Sequence, residues 1–325
     1  MKKDGKEKPM TKVQNVAVLG AGTMGHSLAQ VFAQGGCNVW LSDLQEGILQ
    51  KAKKMIASNL KTLVDLDLLE ANQPPVILDR IQTTTKIETA GKQAQFVVEA
   101  IIEDVAAKKE MFSALDRICP PEAILASNTS FLDIFKFVET KRPDKVLITH
   151  WFAPPHLVPL VEVVRGPLTS EESIDTVKAF LTRLGKKPIV IAKFLPGFIA
   201  NRLQGALRVE AHFLLDNGYA TPEDIDVASK ASFGLRIPIL GLMKREDYAG
   251  LDTVQRNLNN RMYSPPEARG SSKTLDRLIE KGKLGVKTGS GFYDYHGKTA
   301  EELMRERDIK LIKLREFLRE LGELS

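Results

Sequence analysis

Hydrophobic positions along the chain fall into two textures that meet near residue 194. Before that point, short apolar runs alternate with stretches whose apolar residues recur every three or four positions. Val16–Leu19, Asn38–Leu41, Gln95–Val98, Ala123–Ala126 and Val146–Thr149 are strand-like, and Leu160–Val164 and Pro188–Ala192 could extend the same sheet. Met24–Gln34, Gly47–Leu60 and Ala106–Ile118 have helical spacing. Strand, helix and strand repeated in this way predict βαβ units and a mostly parallel sheet covered on both faces.

After Pro196 and Gly197 the strand pattern stops, and helical periods run over Phe198–Leu215, Thr221–Ser232, Leu240–Asn259, Lys273–Lys281 and Glu301–Leu321. Thr221, Pro222 and Asp224 stand in the order of an N-cap, a first-turn proline and a capping acid. Two domains are therefore expected. Residues 1–194 form an α/β domain (with 1–12 as a flexible tail), and residues 195–325 form an all-helical one. The last helix places Met304, Leu311 and Leu318 seven apart, with Leu314 and Leu321 beside them and Arg307 interrupting the seam. Packing on its own domain and docking to a partner both fit that pattern.

Composition narrows the class. The 325 residues are 43% hydrophobic and 27% charged, which excludes a disordered or fibrous chain. No apolar stretch approaches the about 18 residues of a membrane span, and the lysine-rich start lacks the features of a signal peptide. Two cysteines, Cys37 and Cys119, exclude a disulfide scaffold and favour a reducing, cytoplasmic setting. The net charge is +5, with part of the excess in the first eight residues, so a nucleic-acid partner is not expected.

The first chemical signal is Gly20, Gly22 and Gly25, with Thr23 and Met24 between them, directly after the first strand and opening the first helix. Glycines there allow a tight turn and let the backbone approach a pyrophosphate, which the helix N-terminus attracts. Asp43 ends the second strand, where a carboxylate binds ribose hydroxyls and repels a 2′-phosphate, so the pattern favours NAD over NADP. The alternative is a glycine turn with a solvent-facing Asp. The dinucleotide reading makes the first domain a Rossmann-type, doubly wound sheet.

The second signal is a hairpin. His150 ends one apolar strand and Glu162 sits inside the next, where a carboxylate is costly to bury alone. If the strands turn back about residue 156, the two residues face each other and the acid fixes the tautomer of the imidazole, as a general base requires. A structural histidine with an unrelated buried acid is the alternative. Ser127–Ser130 follow a strand at the edge where such sheets bind ligands, though Ser130 with Asp133 also fits a capping box for a short helix over Phe131–Phe137. Asn201 lies one turn into the first helix of the second domain.

In this order and spacing the set resembles the L-3-hydroxyacyl-CoA dehydrogenase family, whose relatives include lambda-crystallin/gulonate dehydrogenase and carnitine dehydrogenase. The likeness runs from Val16 to about Tyr295 and includes Gly20–Gly25, Val98–Ala100 with Glu103 and Lys108, and Ser127–Ser130. His150 to Glu162, Pro196–Arg202, Tyr248–Asp252 and Lys287–Tyr293 complete it. The resemblance implies NAD-dependent, reversible oxidation of a 3-hydroxyl, as in fatty-acid β-oxidation, by a homodimer joined through the helical domain. It implies His150 as base, Glu162 as its partner, Ser130 at the substrate oxygen and Asn201 as a substrate-positioning amide. Ala100, Glu103, Lys108 and Asn128 match cofactor-lining positions.

Departures bear on the substrate. Ala153 replaces the asparagine usual after the histidine. The stretch that offers Ser and Lys to coenzyme A holds Asn59, Lys61, Asp65, Leu66 and Asp67 here. Asn59 and Lys61 remain candidate substrate contacts. Arg236 fits either a substrate-carboxylate ligand or a surface helix terminus. A CoA thioester is the first expectation, a free hydroxy acid the second, and a catalytically silent NAD-binding protein the third.

Overall fold

The computed structural model describes residues 13–260, 263–267 and 270–324. The expected tail of residues 1–12 lies outside them. The chain divides into two compact units at Phe198, four residues beyond the boundary read from the sequence. The reason is local. Phe198 is buried in the first unit's core with Ile134, Ile148 and Val164, so the chain leaves that core only after it.

The first unit is built on β1 (Asn15–Leu19), β2 (Asn38–Ser42), β3 (Ile81–Thr84), β4 (Phe96–Glu99), β5 (Ile124–Ser127), β6 (Val146–Trp151), β7 (Leu160–Arg165) and β8 (Lys187–Ile191). They form one sheet in the order β3-β2-β1-β4-β5-β6-β7-β8. Every neighbouring pair is parallel except β6 and β7. The helices are α1 (Gly25–Gln34), α2 (Glu46–Asp65), α3 (Gln73–Asp79), α4 (Ile87–Gly91), α5 (Val105–Ile118) and α6 (Glu171–Arg183). Strand order reverses between β1 and β4, which opens the crevice where doubly wound sheets take dinucleotides.

The central strands read as continuous apolar runs because both faces are covered: β4 and β5 are buried at every position. An aromatic cluster stands on one side, with Phe32 stacked on Phe180 and Phe96 and Trp151 edge-on to Phe32. The sequence pattern omits β3, whose Gln82, Thr83 and Thr84 give an edge strand little hydrophobic signature. It also omits α6, although Ser170 caps that helix through the Ser173 amide.

The second unit holds α7 (Ala200–Asp216), α8 (Pro222–Ala231), α9 (Phe233–Leu240), α10 (Met243–Ala249), α11 (Leu251–Asn260), α12 (Lys273–Glu280) and α13 (Ala300–Glu320). The single helix expected over Leu240–Asn259 is instead broken twice. Gly241 and Gly250 both take positive φ, at 65° and 87°, and end the helices they follow. Thr221 forms the expected capping box with Asp224.

Candidate active site

The turn after β1 is shaped by hard contacts. Gly20 has φ 90°, and a Cβ there would stand 2.6 Å from the Ala100 carbonyl oxygen; a Cβ on Gly25 would stand 1.7 Å from the Gly20 oxygen. Gly22 is different. It is exposed, and nothing lies within 4 Å of where its Cβ would be, so no protein atom demands a glycine there. Among the described residues, the amides of Gly22, Thr23 and Met24 donate to no protein acceptor. An open glycine and unengaged amides at the start of α1 fit a pyrophosphate. Half-exposed Asp43 follows β2 and accepts the Ala21 amide on Oδ2 at 2.8 Å, which ties the turn to the end of that strand.

The β6–β7 hairpin pairs His150 with Glu162 directly. The His150 Nδ1 lies 2.7 Å from Glu162 Oε2, with both residues buried, at 3% and 0% exposure. A carboxylate accepts only, so Nδ1 carries the proton and Nε2 presents its lone pair. Nε2 faces the Ser130 hydroxyl at 3.1 Å. The Phe152 and Phe198 rings pack on the imidazole, with centroids 4.6 and 5.1 Å away. A buried imidazole polarised by a carboxylate and walled by aromatic rings has the geometry of a general base.

A buried polar lattice holds Ser130. The Lys108 ammonium, 1% exposed, donates to both Glu99 oxygens at 2.7 and 2.8 Å, and the Ser127 hydroxyl donates to Glu99 as well. Lys108 also lies 3.3 Å from Glu103. Glu103 in turn accepts the Thr129 hydroxyl and the amides of Ser130 and Phe131. Burial raises the Glu103 pKa, but the Thr129 hydrogen bond, the Lys108 charge and the two amides outweigh it and hold the carboxyl below its usual range.

Several expected contacts therefore have different immediate partners. Lys108 sits beneath the surface, with its charge spent on Glu99 and Glu103 rather than facing an open site. Asn128 accepts the Trp151 amide through Oδ1 at 2.9 Å, linking β5 to β6. Ala100 backs the Gly20 turn through its carbonyl. The capping box expected of Ser130 and Asp133 does not form. Thr129 Oγ1 accepts the Phe131 and Leu132 amides instead, and the helix shrinks to one 3-10 turn, Ile134–Lys136. That leaves the Ser130 hydroxyl to His150.

On α2, Asn59 donates to Gln30 at 2.9 Å and Lys61 is paired with Asp65 at 2.8 Å, so both polar groups are engaged by neighbours. Asn201 stands in the first turn of α7, half-buried, and Arg236 is exposed on α9; both belong to the helical unit. Sequence reading missed Ser27 and His156, which bond to each other across the fold, and Lys186, whose ammonium holds the Pro155 and Val158 carbonyls. Only an unusual histidine among prolines hinted at the first pair.

A dinucleotide crevice, a carboxylate-held histidine and a serine at its second ring nitrogen define a nicotinamide-dependent dehydrogenase. Residues 15–194 match the 3-hydroxyacyl-CoA dehydrogenase NAD binding domain, and residues 197–295 match the C-terminal domain of the same family. The chain belongs to the 3-hydroxyacyl-CoA dehydrogenase family, and its cofactor is NAD. It is 37% identical over 291 residues to the mitochondrial hydroxyacyl-coenzyme A dehydrogenase of Sus scrofa, covering 87% of this chain and 91% of that one. It is 30% identical over 310 residues to 5-formyl-3-hydroxy-2-methylpyridine 4-carboxylate 5-dehydrogenase of Mesorhizobium japonicum, covering 94% and 98%. A crystal structure of an enzyme of that second name, described as an NAD+ dependent dismutase, superposes with a TM-score of 0.82 at 28% identity over 94% of this chain and 99% of that one.

Proposed function

We propose that the protein oxidises the hydroxyl of a small, free carboxylate-bearing substrate, using His150 as the base. Bound NAD supplies the hydride acceptor; Gly20–Gly25 and Asp43 hold it. His150 Nε2 takes the hydroxyl proton as the hydride leaves, and Glu162 stabilises the imidazolium that results. Without proton removal, hydride loss would leave an oxocarbenium-like species, so the two events depend on each other. Ser130 and His150 bracket the position of the reacting oxygen.

The observation that carries the substrate class is the make-up of α2 and the turn after it. Asn59 is hydrogen-bonded to Gln30, and exposed Lys61 stands beside the Asp65 and Asp67 carboxylates, which repel phosphates, where the family pattern offers groups to coenzyme A. Ala153 also removes a side-chain amide beside the base. These features reverse the order expected from resemblance alone. The thioester reading is kept because curated 3-hydroxyacyl-CoA dehydrogenases reach 37% identity. NADH-coupled assays with gulonate, carnitine and 3-hydroxybutyryl-CoA decide between them. Turnover of a free acid is expected. Turnover of the thioester alone would overturn the proposal in favour of the second reading.

A homodimer through the helical unit is part of the proposal. Helices α7 to α12 contain no fully buried residue, and Leu207, Val227, Leu235, Met243, Tyr248 and Leu258 are each more than half exposed. Apolar surface on this scale calls for a cover. No described helix is long and apolar enough to cross a membrane. Both cysteines are buried thiols outside any disulfide, in keeping with a cytoplasmic setting. Nucleic acid has no part in this reading.

A further inference from the structure

The segment of residues 152–159 joins the strand carrying His150 to the strand carrying Glu162, and it is fastened from two sides. On one side Ser27, fully buried in the first turn of α1, uses a single hydroxyl twice. It accepts the His156 amide at 3.0 Å and hydrogen-bonds with His156 Nδ1 at 2.7 Å. Backbone and ring of one residue are thereby fixed by one atom, 129 positions away in the chain. On the other side the Lys186 ammonium, from the turn before β8, donates to the Pro155 and Val158 carbonyls at 2.5 and 3.1 Å.

The two fastenings serve different purposes. Lys186 and the turn bonds from the Leu157 and Val158 amides to Pro154 keep the segment folded. Neither touches the cofactor end of the molecule. Ser27 does, because α1 begins at Gly25, the last glycine of the dinucleotide turn. We infer that Ser27 and His156 are positioning residues that couple the dinucleotide-binding end of α1 to the segment beside the base. Cofactor binding and the order of that segment then act as one unit. The inference rests on the NAD-dependent dehydrogenase reading and is independent of which acid is oxidised.

The test uses the full-length protein with S27A, H156A, H156N and the S27A/H156A double variant. On a substrate that wild type turns over, H156A raises KM about tenfold, the scale of one lost buried hydrogen bond, and S27A, which loses two, raises it at least as much. The effect on kcat stays within about threefold, and NADH binds more weakly to S27A, because a link through which NADH orders the segment must strengthen NADH binding in return. The double variant is no worse than S27A, which already removes both bonds, whereas H156A removes only the ring bond and leaves the His156 amide on Ser27. H156N, whose side-chain oxygen can stand in for Nδ1, restores KM. Hydrogen exchange gives a readout without substrate: NADH slows exchange over residues 152–159 in wild type and loses that effect in S27A. Additive KM effects, an unrescued H156N or an intact NADH response in S27A would each overturn the inference. If the assay panel shows no turnover, the function reading fails while the exchange measurement still decides the coupling.

Discussion

At His150 the protein solves an electrostatic problem with two neighbours. A lone buried carboxylate at Glu162 would be unstable, and a lone buried imidazole would have no fixed tautomer; the 2.7 Å contact settles both. Replacing His150 with Ala is expected to lower kcat by about 10²–10⁴, the usual worth of a positioned base, with NADH affinity unchanged by fluorescence titration. Retention of most of the rate would point to another base. Asp43 acts at the other end of the chemistry. Asp43→Ala is expected to relax the discrimination against NADP, measured as the ratio of kcat/KM for the two dinucleotides; an unchanged ratio would mean the ribose is read elsewhere.

Single residues were legible in the sequence when their partner lay on an adjacent strand or in a fixed motif. His150 and Glu162 could be paired because hairpin register follows from the position of the turn. Gly20, Gly22 and Gly25 were readable because strand, turn and helix surround them. Ser27 and His156 were not, since their contact depends on how α1 packs beside the hairpin. The engagement of Asn59 by Gln30 was hidden for the same reason, as it joins two helices through side chains alone.

Elements were legible where both faces are buried and obscure where one is wet. The central strands announced themselves, whereas β3 did not, because its polar residues serve a sheet edge. In the helical unit, two glycines within an otherwise periodic run mark breaks that apolar spacing overlooks. Helix ends also carry titratable weight. Asp216, at the last turn of α7, accepts the Ser272 hydroxyl and the Lys273 and Thr274 amides at the start of α12. Burial would raise its pKa, but the bonds from Thr274, Ser272 and Lys273 pull it down to about 2. A depressed carboxyl stabilises fully above its unfolded pKa of about 3.9 and loses that contribution as pH falls toward the folded value. The urea midpoint of wild type should therefore fall between about pH 4 and pH 2 more steeply than that of Asp216→Asn. Parallel curves would assign the acid response to other groups.

For the whole molecule, the helical unit raises the question of what completes it. Its internal ties are polar and terminal, such as the Thr221 and Thr299 capping boxes, while many large apolar side chains face outward. Of the last helix, Ile312 and Leu318 are buried, and Met304, Leu311, Leu314 and Leu321 stay exposed beside them. The seam noted in the sequence is thus divided between packing and exposure. Light scattering on the purified chain is expected to give twice the 36.1 kDa of one copy. Replacing Leu235 and Met243 with Lys is expected to shift that mass toward the monomer. A wild-type mass of one copy at micromolar concentration would exclude the dimer.

The antiparallel pairing of β6 with β7 also restricts how this chain can diverge. Side chains alternate between the faces of a strand, so a one-residue slip of β7 against β6 would turn the acid to the opposite side of the sheet. The connecting segment can change its chemistry and its length to suit a new molecule, provided the two strands keep that register. Descendants with altered selectivity should differ in the loop and agree in the pairing of acid with base.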